Sequence, residues 1–182
     1  MQRYRTKELI FIALLCVLGL FSKKLVSPLA NVLTDFVHIA GGSFSSGFSK
    51  VFLVVGAALV PRFGTATLMG FVQACIALSL GMSSAQGAFI FVTYTVSGLI
   101  IDVFNLVYRK TCSKYPLSYF MIATMLSNGL NSFLTNRLVF QFSGIPLACW
   151  VSLAFSSGIL AGFLGYAVYE RLKRHMRLSY EK

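Results

Sequence analysis

Two long stretches of this chain contain no charged side chain, and they constrain the fold more than any other feature. The uncharged stretches are residues 63–101 and residues 138–169. A helix that crosses a bilayer needs about 20 apolar residues to cover roughly 30 Å of hydrocarbon. The first stretch can therefore hold two crossings, and the second can hold one. With 57% hydrophobic residues and a mean hydropathy of +0.76, the sequence predicts a polytopic membrane protein.

Breaks in the apolar pattern divide the chain into six candidate spans. Turn-forming residues and charges separate them. Because a helix satisfies its own backbone hydrogen bonds, a span in lipid adopts that form. The sequence thus predicts an all-α fold, with one six-helix membrane domain over residues 1–182. The predicted spans are residues 8–22, 44–61, 64–81, 86–108, 116–142 and 147–170.

The connection between the first two predicted spans differs from the others. Residues 25–43 are mostly apolar and rich in glycine near their end. A long connection in a compact domain is usually functional. We interpret residues 25–43 as a long outer loop that forms a lid over an outward-facing cavity. Phe36 and His38 belong to this lid, and Gly41 and Gly42 supply its hinges.

Basic residues gather on one side of the predicted topology. With six crossings, the two termini share a side with the turn after the second span and the loop after the fourth. Positively charged residues mark the cytoplasmic side, so residues 1–7 and the basic tail 171–182 are predicted to be cytoplasmic. Topology and anionic lipid then explain the net charge of +11, and no nucleic-acid partner is needed. The basic residues on that side are Arg3, Arg5, Lys7, Arg62, Arg109, Lys110, Lys114, Arg171, Lys173, Arg174, Arg177 and Lys182.

The signatures of nucleotide-hydrolysing and metal-dependent enzymes are missing from the sequence. There is no G-x-x-x-x-G-K-[ST] phosphate loop and no histidine pair at metal-ligand spacing within a predicted span. Of five acidic residues, only Asp102 lies well inside a span. Hydrolytic sites usually need two or more converging ionisable groups. We therefore predict a protein that is not an enzyme and that has no metal site and no cofactor.

Polar side chains follow one face of the fifth predicted span. The stripe comprises Thr124, Asn128, Asn131 and Thr135, which recur at helical spacing. Amides in hydrocarbon are costly unless they are paired, so the stripe should face the interior of the bundle. It is either a set of interhelical hydrogen bonds or the wall of a ligand pocket. Asn136 and Arg137 extend its polar character towards the outer surface, which favours the pocket.

Two basic residues, Lys50 and Arg137, fall in or near the outer half of the membrane. Their side chains either extend to the lipid headgroups or point inward, where they would attract an anionic group. Tyr94 and Trp150, at similar depth, are able to stack on a ligand ring, although tryptophan is also a common interfacial anchor. The candidate substrate-binding residues are Lys50, Tyr94, Asn128, Asn131, Asn136, Arg137 and Trp150.

Small residues recur on the sixth predicted span. Ala154, Gly158 and Gly162 stand at four-residue spacing. This pattern is typical of a close contact between two helices, because small side chains let backbones approach. The contact lies either inside the protein or with a partner.

Four segments carry a resemblance to a known family, together with the six-helix layout and the long loop. They run from Lys7 to Leu15, from Gly64 to Ala74, over Leu80-Gly81 and from Ser97 to Asp102. In these features the chain resembles the substrate-binding membrane subunits, or S components, of energy-coupling factor (ECF) transporters. The resemblance implies a subunit that binds a vitamin or similar micronutrient with high affinity at the outer face of a bacterial cell membrane. It also implies partners, namely a transmembrane scaffold subunit and two cytoplasmic ATPase subunits.

The resemblance further implies a docking surface for the scaffold on the first helix. Family members often carry an Ala-x-x-x-Ala surface there, and the matching positions here are Ala13 and Val17, with Gly19 nearby. The substrate stays open: thiamine or its precursor, another vitamin, an anionic ligand and a haem-like tetrapyrrole all fit. The alternative from another class is an autonomous proton-coupled carrier or small channel that uses Asp102 as its relay.

Overall fold

Six helices form the described part of the protein. The computed structural model describes residues 6–35, 42–60, 62–81, 87–111, 115–141 and 143–180. The predicted all-α, six-helix fold is confirmed within these ranges. The helices are α1 (Thr6–Asp35), α2 (Gly42–Leu59), α3 (Thr65–Ser79), α4 (Phe89–Thr111), α5 (Leu117–Leu138) and α6 (Ile145–Tyr180).

The connection between α1 and α2 is shorter than the loop predicted over residues 25–43. α1 remains helical through Asp35, and Gly42 is the first residue of α2 rather than a loop hinge. The prediction was wrong for residues 25–35 because an apolar segment without glycine can continue a helix past Pro28. The other three predicted lid residues, Phe36, His38 and Gly41, lie outside the described residues.

The last helix is also longer than its predicted span. α6 has 36 residues and runs through Tyr180, so most of the predicted basic tail 171–182 is helical. A helix of that length measures about 54 Å, whereas the hydrocarbon core of a bilayer is about 30 Å thick. The end of α6 that carries the basic residues therefore extends beyond the membrane.

The outer surface of the bundle is apolar, as a lipid-facing surface must be. Ile10, Phe21 and Phe163 are 63%, 60% and 58% exposed. Large exposed apolar surfaces of this kind mark contact with a membrane or a partner. Within the described residues, three segments are long and apolar enough to span a membrane by length and composition, and two further apolar helices are shorter. The long segments are Glu8–Pro28, Phe89–Lys110 and Ile145–Arg174, and the shorter ones are Ser46–Leu59 and Thr65–Ser79.

α2 is the central helix of the bundle. It packs against each of the other five helices. Most of its side chains are buried, and a polar residue on it is consequently enclosed by protein rather than lipid. The buried apolar residues of α2 are Val51, Leu53, Val54, Val55, Ala57 and Ala58.

Small residues allow the close helix contacts that the sequence predicted on α6. A Cβ atom at Gly158 would lie 2.7 Å from Cα of Met125, and one at Gly162 would meet Cα of Met121. Both methionines belong to α5, so this contact lies inside the protein. On the other side of the bundle, Gly98 of α4 packs directly against the backbone of Ala66 in α3.

Gly158→Ala should destabilise the protein, since the added methyl group meets backbone atoms of α5 that cannot move without shifting the helix. Overpacking of this kind costs about 1–3 kcal/mol. Thermal unfolding in detergent measures the effect. Gly165→Ala is the matched control on the same helix, because its Cβ would lie 3.5 Å from Phe120 Cδ1, an ordinary contact. Equal melting temperatures for the two variants would contradict the proposed tight contact.

Candidate functional site

Lys50 lies in the middle of the bundle instead of extending to the headgroups. Its residue is 3% exposed, and its ammonium group donates to the Ser127 carbonyl oxygen and to Asn128 Oδ1, each at 3.1 Å. With the Asn131 amide oriented to satisfy both of its polar atoms, the amide oxygen accepts a third bond from Lys50 at 3.2 Å. In that orientation the Asn131 nitrogen donates to the Thr93 carbonyl oxygen at 3.0 Å. All three acceptors of Lys50 are neutral groups.

Asn128 joins three helices through one amide. Its oxygen also accepts a hydrogen bond of 2.8 Å from Ser46 Oγ of α2. Its nitrogen donates to the Ala154 carbonyl oxygen at 2.9 Å and to Ser157 Oγ at 2.8 Å, both on α6. The amide thus makes two donor and two acceptor bonds. We refer to Ser46, Lys50, Asn128, Asn131 and Ser157 as the polar cluster.

Lys23 of α1 brings a second amine towards the polar cluster. It donates to the Tyr94 hydroxyl at 2.8 Å, and its ammonium group lies 5.2 Å from the centroid of the Tyr94 ring. Lys23 is half-buried, and its partner Tyr94 directly follows Thr93, whose carbonyl oxygen accepts the bond from Asn131. The sequence analysis missed Lys23 because it ended the first span at residue 22. The full length of α1 places this residue well inside the helix.

The structure brings four of the seven predicted substrate-binding residues to this region and leaves three apart. Lys50, Asn128 and Asn131 are joined by hydrogen bonds, and Tyr94 directly follows Thr93, whose carbonyl oxygen accepts the bond from Asn131. Asn136 is buried, but its amide nitrogen bonds to the Ser132 carbonyl oxygen of its own helix at 2.8 Å. Arg137 is exposed at the end of α5, and Trp150 is half-buried near the start of α6. Neither hydrogen-bonds a member of the polar cluster.

The predicted inward orientation of the α5 stripe is confirmed, and its members have different partners. Thr124, Asn128 and Thr135 are buried, and Asn131 is half-buried. Thr124 donates to the Gly158 carbonyl oxygen at 2.7 Å, an interhelical bond to α6. Interhelical hydrogen bonding by the stripe is therefore present at Thr124 and Asn128, and its role as a ligand wall stays a prediction.

The predicted docking residues of α1 divide between two faces. Ala13 and Val17 are exposed. Gly19 is buried, and a Cβ there would lie 2.7 Å from Gln73 Nε2 of α3. Its missing side chain serves packing inside the bundle, so the geometry does not support a docking role for Gly19.

Gln73 is a buried polar residue that the sequence analysis did not identify. Its nitrogen donates to the Cys16 carbonyl oxygen at 3.5 Å, while its oxygen has no hydrogen-bond partner among the described residues. Buried acceptors without a partner are uncommon. No periodic pattern marks Gln73, because it stands alone among apolar residues on α3.

Asp102 forms a second polar centre, which holds α3 and α4 together. It is 2% exposed. Its carboxylate accepts bonds from the backbone nitrogens of Ala66 and Thr67 at 3.1 and 2.8 Å, and from Thr67 Oγ1 at 2.7 Å. These groups lie in the first turn of α3, whose own N-cap, Gly64, provides no side-chain bond. A carboxylate there satisfies free N–H groups and complements the helix dipole, which favours a structural role for Asp102.

The chemistry of the polar cluster is that of amines, amides and hydroxyls. Among the residues whose side chains the structure describes, no group of three histidine, cysteine, aspartate or glutamate residues is placed to hold a metal ion. The cluster donates and accepts hydrogen bonds and carries positive charge. It is suited to recognising a polar small molecule.

Comparisons with known proteins point to membrane transport. The sequence model of the family described as "ABC-type cobalt transport system, permease component" matches residues 7–130. The structure is similar to the solved structure described as "Crystal structure of an S-component of ECF transporter", with a TM-score of 0.75 and 22% sequence identity over 99% of both chains. At that identity, the likeness establishes the fold. No curated protein matches the chain.

Asn128→Leu should destabilise the protein more than Asn136→Leu does. The first change removes one acceptor of the buried Lys50 ammonium and three further bonds between helices, whereas the second removes bonds within α5 only. We expect a loss of about 1–3 kcal/mol for Asn128→Leu and about 0.6 kcal/mol or less for Asn136→Leu. Unfolding of both variants in detergent provides the measurement. A larger loss for Asn136→Leu would contradict the central role of the polar cluster.

Proposed function

The chain belongs to the family of ABC-type cobalt transport system permease components, and we propose that it is the substrate-binding subunit of an ECF-type importer. It captures a small, vitamin-like micronutrient at the outer face of the membrane. The observation that carries the proposal is the S-component fold, which extends over nearly the whole of both chains. The polar cluster in the middle of that fold supports it.

The proposal assigns the energy supply to other subunits. In this division of labour the chain binds its substrate, docks onto a transmembrane scaffold subunit and depends on two cytoplasmic ATPase subunits. The sequence itself carries no phosphate loop, as this arrangement requires. The exposed face of α1 that includes Ala13 and Val17 is the proposed docking surface for the scaffold.

The proposed substrate site is the polar cluster together with Tyr94 and Lys23. Asn131 is the member best placed to bond a polar edge of the substrate, because it is half-buried while Asn128 is enclosed and fully bonded. Tyr94 adds an aromatic ring beside it. Small-molecule sites commonly combine an apolar lining with a few such polar groups.

The family description also names cobalt, and the chemistry of the cluster argues for an organic substrate. Imidazole, thiolate and carboxylate groups are the protein ligands that suit cobalt and its neighbours. The ammonium groups of Lys23 and Lys50 repel a divalent cation instead. We therefore propose an organic micronutrient as the substrate at this site.

Ala13→Trp should reduce the recovery of ATPase and scaffold subunits when the chain is purified from the membranes of its host. A bulky side chain cannot fit where two helices approach closely. Val103→Trp on the exposed face of α4 is the matched control and should leave recovery unchanged. Quantitative mass spectrometry of the purified material measures both. Absence of ATPase subunits from the wild-type preparation, with proton-driven uptake in liposomes, would favour the autonomous carrier instead.

A cysteine at Ala88 should react with an impermeant thiol reagent on intact cells, and one at Lys110 should not. Both positions are exposed, and they lie at opposite ends of α4, so the pair reports the orientation of the bundle. The four native cysteines are replaced in both variants. Labelling at Lys110 without labelling at Ala88 would reverse the proposed orientation and would place the termini outside.

A further inference from the structure

We propose that the captured molecule is an organic anion, whose carboxylate or phosphate group is received between the ammonium groups of Lys23 and Lys50. This inference rests on the proposed function and names the chemical class of its substrate. It derives from the placement of two amines inside the bundle, neither of which has a carboxylate beside it among the side chains that the structure describes.

Lys50 has no charged hydrogen-bond partner among the described residues. Its ammonium group is buried, and its three acceptors are a backbone carbonyl and two amide oxygens. Neutral acceptors solvate a cation but leave its charge uncompensated. An ion taken out of water without a counter-charge costs several kcal/mol, and ionisable groups inside a membrane usually mark a functional site.

Lys23 adds a second positive charge to the same region. Its partner, the Tyr94 hydroxyl, is neutral, as is the ring beneath it. Two like charges that act on each other in a poorly solvated interior are unfavourable. An anion between them removes the repulsion and forms charge-assisted hydrogen bonds, which are about twice as strong as neutral ones.

The described carboxylates are engaged elsewhere or lie at the far end of the bundle. Glu8 pairs with Arg62 at 3.2 Å. Asp102 caps α3. Glu170 is exposed in the last part of α6. None of these described carboxylates neutralises Lys23 or Lys50. In this proposal the counter-ion is the bound ligand.

The two amines differ in access, which suggests how the anion enters. Lys23 is half-buried at the edge of the region, whereas Lys50 is enclosed. An arriving carboxylate or phosphate meets Lys23 first and then reaches the more deeply placed Lys50. The neighbouring Asn131 amide is available to the polar part of the same molecule. A cationic molecule meets repulsion at both steps.

Thermal unfolding of the purified chain in phosphatidylcholine nanodiscs tests the proposal with two simple anions. Sodium phosphate and sodium acetate are each compared with sodium chloride at the same pH and ionic strength. A ligand that binds the folded state raises the melting temperature. We expect both anions to stabilise the wild type, with Lys23→Met binding them about 10- to 150-fold more weakly, as the loss of a charged hydrogen bond implies.

Matched variants identify the site. Arg137→Met removes an exposed cation outside the polar cluster and should respond to the anions like the wild type. Lys23→Arg keeps the charge and should retain the stabilisation. Lys50→Met should abolish it, and Lys23→Met alone decides the matter where Lys50→Met does not fold, since Lys23 is only half-buried.

Two further arms add cobalt chloride, or replace part of the phosphatidylcholine by phosphatidylglycerol. Three results with the soluble salts would overturn the inference. They are no stabilisation of the wild type by either anion, equal stabilisation of Lys23→Met, and stabilisation by cobalt chloride alone. Stabilisation by phosphatidylglycerol but by neither soluble anion would identify a headgroup site and would also overturn the inference. The recovery of ATPase subunits is measured separately, so the proposed function stands or fails independently of these results.

Discussion

The packing of this bundle depends on how one buried ammonium group, that of Lys50, is hydrogen-bonded. Lys50 lies on α2, the helix that contacts all the others. Its amine is therefore enclosed by protein and contacts neither water nor lipid headgroups to a significant extent. The acceptors that surround it come from α5, and Asn131, in the orientation that serves Lys50, also ties α5 to Thr93 of α4. Asn128 extends the same network to α6. The relative positions of four helices are thereby coupled to the solvation of a single amine.

The two ends of the bundle contain different types of side chain. At the end where α4 finishes and α5 begins, aromatic rings pack closely: the centroids of Tyr115 and Tyr119 lie 4.9 Å apart, and those of Phe120 and Tyr169 lie 5.1 Å apart. The Asp102 cap of α3 lies towards this end as well. Lys23 and Tyr94 lie in the opposite half, in the later part of α1 and the first part of α4. Dense aromatic packing therefore fills one end of the bundle, whereas the amine of Lys23 and the hydroxyl of Tyr94 lie in the other half.

Local sequence patterns were sufficient for the number of helices among the described residues and for the inward face of α5, but not for the ends of α1 and α6 or for the partners of individual side chains. Apolar runs long enough to cross a bilayer, together with the breaks between them, predicted six helices. Helical spacing on α5 predicted an inward polar stripe. Whether Lys50 extends outward or points inward depends on acceptors 77 and 78 residues away, which no local pattern contains. Lys23 was missed for a related reason: the charged pair Lys23-Lys24 ended the first predicted span at residue 22, whereas the chain continues the helix through Asp35. The position of a helix end decides whether a lysine flanks a span or lies within it.

Asn128 and Asn131 belong to one polar stripe but differ in the hydrogen-bonding capacity that each has left. Asn128 makes four hydrogen bonds to groups on two other helices, α2 and α6, and has no capacity left for a ligand. Asn131 lies about one helical turn further along, is half-buried, and makes two bonds in the orientation that serves Lys50. An amide has capacity for further hydrogen bonds beyond those two. Interhelical hydrogen bonding is therefore established for Asn128, whose enclosed amide positions the amine of Lys50. The half-buried amide of Asn131 keeps the capacity that the proposed ligand contact requires.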